Sequence, residues 1–296
     1  MAGTVKYIKR HVKKTTMHLL PIMRCGVSGN SDYKTIVSLT SFPKRIKSIH
    51  LCIKTLLKQS YKPDAVILWL ANTEFPGRED DLPKELLKLK KYGLTIKWCE
   101  NIRSYKKLVP ALKEYPDATV ITADDDVYYV RSWLEKLIRS YKEHPDEICC
   151  YRAAKISFSD EGEFVRSPVG EGICYPTASY LNQQTGIGGV LYPARCLATD
   201  VTRDDVFMKI APTNDDIWFW AMGILNGKRI RVIENNTFIP YYVGDTQDNS
   251  LTSINDSGEM LYYKQLYNVF NKYPTVLERL KQEHGEFMRT ENNNEG

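Results

Sequence analysis

Three observations in the sequence predict an α/β fold built on a mainly parallel sheet with helices on its faces. Short apolar, β-branched runs alternate with helix-like stretches through the first half of the chain. One of those runs ends abruptly in three carboxylates, Asp124, Asp125 and Asp126. After residue 151 the alternation gives way to a hairpin pattern and a Gly/Pro/Tyr-rich stretch, which predicts a smaller second sheet followed by C-terminal helices.

The elements follow in order. Thr35 to Thr40 reads as the first strand, and Ile46 to Leu57 as a helix with apolar positions at Ile46, Ile49, Ile53, Leu56 and Leu57. Ala65 to Leu70 predicts a strand, Leu82 to Tyr92 a helix, Leu94 to Cys99 a strand, and Lys107 to Tyr115 a short helix. Thr119 to Thr122 is the buried strand that runs into the acids, and Val130 to Tyr141 the helix after them. In such sheets ligands sit at the carboxyl ends of strands, so Thr40 and Ser41 are expected to share one crevice with Asp124 to Asp126.

Three carboxylates at a strand end raise one another's pKa and repel, so a hard cation or a row of donors is the natural partner. If the chain stays extended there, Asp124 and Asp126 point one way and Asp125 the other, and the pair suits Mg²⁺ or Mn²⁺ bridging to a diphosphate. The plainer reading is that one of these acids only caps the next helix.

Lys155 to Val165 predicts a hairpin turning at Asp160 to Gly162, with Ser167 to Gln184 irregular. Thr185-Gly186-Ile187-Gly188-Gly189 lacks the glycine at position 191 that a dinucleotide fingerprint requires. Its glycines are read either as a close backbone approach to a ligand or as a tight turn into a strand. Asn214 or Asp215 is a sound N-cap for an apolar helix, Ile217 to Leu225, ending at Asn226-Gly227. Capping accounts for one acid and leaves Asp216 in the first turn as a candidate proton acceptor. Lys228 to Glu234 predicts a strand, Tyr241 to Asp256 a polar loop long enough for a lid, and Met260 to Lys272 and Thr275 to Phe287 two helices before a disordered Asn/Glu tail.

Composition narrows the function classes. The net charge of +5 is too mild for a dedicated nucleic-acid binder and fits an anionic small ligand. No run of about 18 apolar residues predicts a transmembrane helix, and the N-terminus lacks a secretory core, so the expected location is cytoplasmic. Residues 1–30 are basic and amphipathic, read either as peripheral contact with the inner face of the cytoplasmic membrane or as a solvated terminal helix. The seven cysteines show no Cys-x-x-Cys pair, which predicts reduced thiols rather than zinc or disulfides, and no His-Glu-x-x-His pattern is present.

With both acidic stretches in view, the sequence resembles nucleotide-sugar-dependent glycosyltransferases of the GT-A fold, most of all the family 2-like enzymes of bacterial surface-polysaccharide synthesis, of capsule and O-antigen type. The resemblance spans about residues 34–256 and rests on Thr40-Ser41-Phe42-Pro43-Lys44-Arg45-Ile46, the Asp-x-Asp motif at 124–126, the Thr-Gly-Ile-Gly-Gly segment at 185–189 and the Asp215-Asp216 pair. It implies a leader (1–33), a catalytic domain (34–258, with a nucleotide-binding half at 34–130 and an acceptor half at 131–258) and C-terminal helices with a tail (259–296).

It further implies Asp124 and Asp126 on Mn²⁺ or Mg²⁺, with Asp124 and Asp125 by the nucleotide. Thr40, Ser41, Pro43 and Arg45 would line the nucleoside pocket, Lys106 or Lys107 would approach the base or phosphates, and Gly188 and Gly189 would flank the sugar. Asp216, paired with Asp215, would be the general base of an inverting transfer from a UDP-sugar to a glycan or lipid-linked glycan. Many such enzymes place a third metal ligand, often His, near the C-terminus; here His284 lies far along a terminal helix and is not assigned that role. The competing expectations are a Mg²⁺-dependent nucleotidyltransferase and a nucleotide-sugar-binding protein without turnover.

Overall fold

A computed structural model describes residues 21–22, 24–30, 34–169, 175–234, 240–244 and 259–294. Most of the basic leader, Cys174 and most of the expected lid lie outside these residues.

Seven strands form the central sheet: β1 (Thr35–Thr40), β2 (Ala65–Ala71), β3 (Leu94–Cys99), β4 (Thr119–Ala123), β6 (Ile148–Cys150), β10 (Val190–Tyr192) and β11 (Ile230–Val232), in the order β11-β6-β10-β4-β1-β2-β3. The predicted strands are all present. β1, β2, β3 and β4 run parallel, as do β6 and β11, while β10 is inserted antiparallel between β4 and β6. The carboxyl ends of β1, β2, β4 and β6 therefore share one edge with the start of β10.

Successive strand residues supply opposite faces, as the pleat requires. Val37, Leu39, Leu68 and Ile121 pack beneath α1 (Ile49–Leu56) and α4 (Trp133–Glu143). Ile36, Ile67 and Val120 face α6 (Asp215–Leu225), α7 (Glu259–Lys272) and α8 (Pro274–Asn294). A fully buried Leu or Val of this kind contributes about 1.5–3 kcal/mol. Because Leu266, Val269, Phe270, Val276 and Leu280 belong to the same core, the C-terminal helices cover one sheet face directly.

The predicted hairpin is β7 (Ala153–Phe158) with β8 (Phe164–Arg166), turning through Gly162 at φ +80°. β9 (Asn182–Gln184) pairs with the other side of β7, completing the small antiparallel sheet β8-β7-β9. Two expectations are corrected. The stretch from 82 to 92 is not one helix but the short α2 (Lys84–Leu87) followed by a 3₁₀ segment, Lys88–Tyr92, because Pro83 delays the start and Gly93 at φ +103° ends it. The tail beyond Phe287 is not irregular: α8 continues to Asn294, each added residue extending an already nucleated helix by one hydrogen bond. The remaining pieces are α3 (Val109–Glu114), α5 (Asp204–Ile210), β5 (Val127–Tyr128) and β12 (Tyr241–Tyr242), the last two paired with each other. No helix among the described residues is long and apolar enough to cross a membrane.

Candidate active site

The acid triad does not stay extended. β4 ends at Ala123 and the chain turns over Asp125 and Asp126 into β5. The condition for strand alternation, an extended chain, is therefore not met, because a tight turn does not rotate successive side chains by the half-turn of a strand. Arg45 Nη1 lies 2.7 Å from Asp125 Oδ1 and 3.1 Å from Asp126 Oδ2, joining those two acids on one side. Ser41 Oγ donates to Asp125 Oδ2 at 2.6 Å, so the tips of β1 and β4 share a crevice as predicted.

Helix α1 fixes this turn. The Cys52 thiol donates to the Asp124 carbonyl at 3.1 Å, and Thr55 Oγ1 accepts the Tyr129 N–H at 3.0 Å. The Tyr129 hydroxyl accepts the Asp124 N–H at 2.8 Å, and the Val243 N–H beside β12 donates to the Asp126 carbonyl at 2.7 Å.

The second acidic pair opens α6. Asn214 Oδ1 accepts the Ile217 N–H at 3.2 Å and so caps the helix itself, leaving both acids for other partners. Asp215 is buried, accepting from Ser104 Oγ at 2.7 Å and lying 2.8 Å from Lys107 Nζ. Asp216 keeps 33% of its side chain exposed, accepts the Gly186 N–H with both oxygens at 3.1 and 3.0 Å, and lies 3.9 Å from Lys107 Nζ. Of the pair, Asp216 is the one open to a substrate.

Lys107 is delivered by the docking of the 3₁₀ segment Arg103–Lys107 onto the approach to α6. Tyr105 stacks on Phe207 with ring centroids 3.9 Å apart and donates its hydroxyl to the Ala211 carbonyl at 2.6 Å. Arg103 enters this segment at φ +56°, a left-handed backbone that a non-glycine residue adopts only when its surroundings enforce it.

The two acidic groups meet at Gly186. A Cβ on that residue would stand 2.6 Å from Lys107 Nζ, 3.2 Å from Asp216 Oδ1 and 3.7 Å from Asp124 Oδ1. Among the described residues Arg45 pairs with Asp125 and Asp126, and Lys107 with Asp215 and Asp216. Burial, opposed by Lys107 and reinforced by Asp126, Asp125 and Asp215, pushes Asp124 up to about 6. Burial likewise pushes Asp216 up to about 6, with Asp215 adding to it and Lys107 and the Gly186 N–H relieving it. Burial works against the charge on Lys107, yet Asp215, Asp216 and Asp124 outweigh it and hold the ammonium well above its usual pKa.

Other predicted residues are placed as follows. Gly188 and Gly189 lie against Trp133: its Nε1–H donates to the Gly188 carbonyl at 2.6 Å, and a Cβ on Gly189 would sit 2.6 Å from Trp133 Cζ2. The glycine among the acids is thus Gly186. Lys106 is 2% exposed and pairs with Glu74 at 2.6 Å, an acid the sequence reading did not single out. Thr40 Oγ1 donates to the Trp69 carbonyl at 2.8 Å, and Pro43 is exposed in the turn before Arg45. His284 accepts the Phe158 N–H at 3.4 Å and packs on that ring. Ser104 and Gly186 were missed as site residues, although both lie in stretches flanked by residues that were named.

No three acidic, imidazole or thiol groups among the described residues form a complete metal cage. One donor suits a divalent ion: Asp124 Oδ2 is buried without a hydrogen-bond partner among the described residues. Such a site needs oxygens from a bound substrate to complete the shell.

The mainly parallel sheet, its antiparallel insertion and the acids at its carboxyl edge define a GT-A-like α/β fold. Among solved structures the chain is similar to S. aureus TarS, residues 1–349, at 17% identity over 87% of this chain and 73% of that one, with a TM-score of 0.50. The same protein in complex with UDP-GlcNAc matches at 17% identity over 87% and 74%, with a TM-score of 0.49. A CMP:2-keto-3-deoxy-manno-octonic acid synthetase in complex with CTP matches at 14% identity over 67% and 88%, with a TM-score of 0.39. No protein-family model matches the chain, and no curated protein matches it.

Proposed function

We propose that this protein transfers a glycosyl group from a nucleoside-diphosphate sugar to an acceptor hydroxyl, with inversion, and that Asp216 is the general base. The observation that carries the proposal is the approach of Asp124 and Asp216 to one point beside Gly186, at 3.7 and 3.2 Å from its Cβ position. Displacement at an anomeric carbon needs positive charge on the leaving side and a proton acceptor on the attacking side.

In this reading Asp216 takes the hydroxyl proton. Its partial exposure gives access, and its raised pKa sets a basicity near the working pH. Lys107 and the Gly186 N–H hold its carboxylate in place, and Asp215, neutralised by Lys107 and Ser104, is a positioning group. Asp125 braces Ser41 and Arg45 at the nucleoside side, and the Lys106–Glu74 pair offers a donor and an acceptor to the base or ribose. Mn²⁺ or Mg²⁺ held by Asp124 and Asp126 would offset charge on the leaving diphosphate. Surface-polysaccharide synthesis, a glycan or lipid-linked acceptor, and membrane contact through the basic leader complete the proposal.

UDP-GlcNAc, the ligand bound to the like-folded TarS, is the first donor to test. With Mn²⁺ it is expected to raise the thermal midpoint by ligand linkage, and Asp124→Ala is expected to remove that shift. Asp216→Ala should keep donor binding and lose transfer, with NMR of the product's anomeric centre reading the stereochemistry. Release of pyrophosphate from a nucleoside triphosphate, instead of a nucleoside diphosphate from the sugar donor, would assign nucleotidyl transfer.

A further inference from the structure

We propose that the outer face of α1, with the start of α4 and the 3₁₀ segment Lys88–Tyr92 beside it, is a cationic docking surface for an anionic phospholipid bilayer. This folded surface is distinct from the basic leader, and its binding does not depend on the transfer reaction.

Charge is concentrated here by the sequence itself. From Tyr33 to Pro63 the chain carries no Asp or Glu, while Lys44, Lys47, Lys54, Lys58 and Lys62 all fall within that stretch. Helix α1 turns Ile49, Cys52, Ile53, Thr55 and Leu56 into the core. The lysines fall on the other side: Lys47 is exposed in the turn that opens the helix, and Lys54 and, just past its end, Lys58 are half-buried. Lys54 and Lys58 stand four residues apart, a spacing at which like charges repel along a helical face. Burial and the neighbouring Lys54 both lower the Lys58 pKa, and burial with Arg131 lowers that of Lys62 against the opposing Cys25. These cations are close enough to crowd one another, a cost to the isolated protein that an anionic partner relieves.

The neighbouring elements continue the same sign. Gln59 ties α1 to the start of α4: its Nε2 donates to the Thr55 and Val130 carbonyls at 3.0 and 3.1 Å, and its Oε1 accepts the Leu134 N–H at 3.0 Å. Arg131 is exposed at this junction, its carbonyl accepting the Ser60 N–H at 2.9 Å. On the other flank Leu86 and Leu89 share the core of α1, and Lys84, Lys88 and Lys91 are exposed. The acids interspersed are Glu85 and Glu135, the latter accepting from Ser60 Oγ at 2.7 Å.

The basic leader joins the molecule on this side. The Gly26 N–H donates to the Tyr92 carbonyl at 2.7 Å and the Ser28 N–H to the Pro63 carbonyl at 2.8 Å, while a Cβ on Gly26 would stand 2.6 Å from Leu57 Cδ2. Lys6, Lys9, Arg10, Lys13 and Lys14 are therefore tethered to a surface of their own sign.

A face that serves only solvation mixes its charges. Helix α8, on the opposite face of the sheet, does so, setting Glu278, Glu283 and Glu286 among Arg279, Lys281 and Arg289. Cations spread over three neighbouring elements of one layer match the extended charge of a lipid leaflet better than the single backbone of a nucleic acid. Because α1 begins just after Arg45, which holds Asp125 and Asp126, docking this face would set the catalytic crevice alongside the headgroups.

The test sediments the whole chain, without donor or metal, with vesicles of phosphatidylglycerol in phosphatidylcholine and with vesicles of phosphatidylcholine alone. Binding is expected to the anionic vesicles and should weaken steeply with salt. The triple change Lys47→Gln, Lys54→Gln and Lys58→Gln should lower partitioning about 100-fold at low salt, about fivefold for each charge removed. Lys281→Gln with Arg289→Gln on α8 should bind like wild type. Should Lys58→Gln unfold the chain, the Lys47→Gln, Lys54→Gln pair decides the matter, at about 25-fold. With the five leader cations changed to glutamine, adding the α1 changes should weaken binding further.

Equal binding to both kinds of vesicle, or α1 variants that bind as tightly as wild type, would overturn the proposal. So would tighter binding, per phosphate, to a single-stranded oligonucleotide than to the anionic vesicles, which would give the face to nucleic acid. No turnover is read, so a donor screen without activity would sink the transfer reaction and leave this surface standing, and absent vesicle binding would do the reverse.

Discussion

The backbone N–H of Gly186 donates to both carboxylate oxygens of Asp216, at 3.1 and 3.0 Å. A side chain there would have to displace its neighbours, because a Cβ would stand 2.6 Å from Lys107 Nζ and 3.2 Å from Asp216 Oδ1. Gly186→Ala is therefore expected to push the Lys107 ammonium off Asp215 and to tilt Asp216. Displacements of this size near reacting atoms cost about 100-fold in rate. Transfer assays beside a thermal melt check it: a large loss of kcat with a small change in midpoint is the expected pattern, and unchanged kcat would remove Gly186 from the site.

Lys107 divides its charge between Asp215 at 2.8 Å and Asp216 at 3.9 Å. Lys107→Met leaves the buried Asp215 without its counterion, and the loss of one partner of a buried pair is expected to cost about 3 kcal/mol. It also removes the cation that lowers the Asp216 pKa, so the acidic limb of kcat/KM should move to higher pH. Adding Asp215→Asn to Lys107→Met should restore most of the stability. Chemical denaturation of the two variants against wild type measures the coupling.

The framework was legible because its strands are buried, β-branched runs such as Ala65–Ala71, whose seven residues are all buried. A short, β-branched run of this kind suits a strand buried on both faces. The direction of β10 was not legible, since three residues paired antiparallel to β4 look the same locally as three paired parallel. Asp124, Asp125, Asp126 and Asp216 stood out as candidates because adjacent carboxylates demand partners. Their division between Arg45 and Lys107 was not, because a two-residue turn decides it. Gly186 could not be told from Gly188 and Gly189 in one short stretch. Only tertiary contact shows that Trp133 lies against the latter two while Lys107 and the acids surround the first.

Asp124 carries a pH signature in stability. Burial raises its pKa from 3.8 to about 6, so between those values the native state holds more protons than the unfolded chain. Stability is therefore greatest below the unfolded value, falls as pH rises through the window from about 4 to about 6, and stays lower above it. Asp124→Asn removes the penalty and should stabilise the metal-free protein near neutral pH by up to about 3 kcal/mol. Thermal midpoints across pH check the sign: the gap between variant and wild type should close below about pH 4.

A divalent ion on Asp126, as proposed, would meet Arg45 at the same carboxylate. The guanidinium holds Asp126 Oδ2 at 3.1 Å and Asp125 Oδ1 at 2.7 Å, so a metal ligated by Asp126 must loosen the first of these contacts. Arg45→Gln removes the guanidinium that holds two adjacent, nearly buried carboxylates and should lower stability in the absence of metal by about 3 kcal/mol. The same change clears the path to Asp126 and leaves the pocket more negative, so the midpoint gain on adding Mn²⁺ should be larger than in wild type, by about tenfold in apparent affinity if one charge-assisted hydrogen bond no longer has to be displaced. Titration of Mn²⁺ against the thermal midpoint, with UDP absent, isolates this effect from donor binding. Equal Mn²⁺ shifts in the two proteins would place the ion away from Asp126 and leave Asp124, with its unpartnered buried oxygen, as the carboxylate to follow.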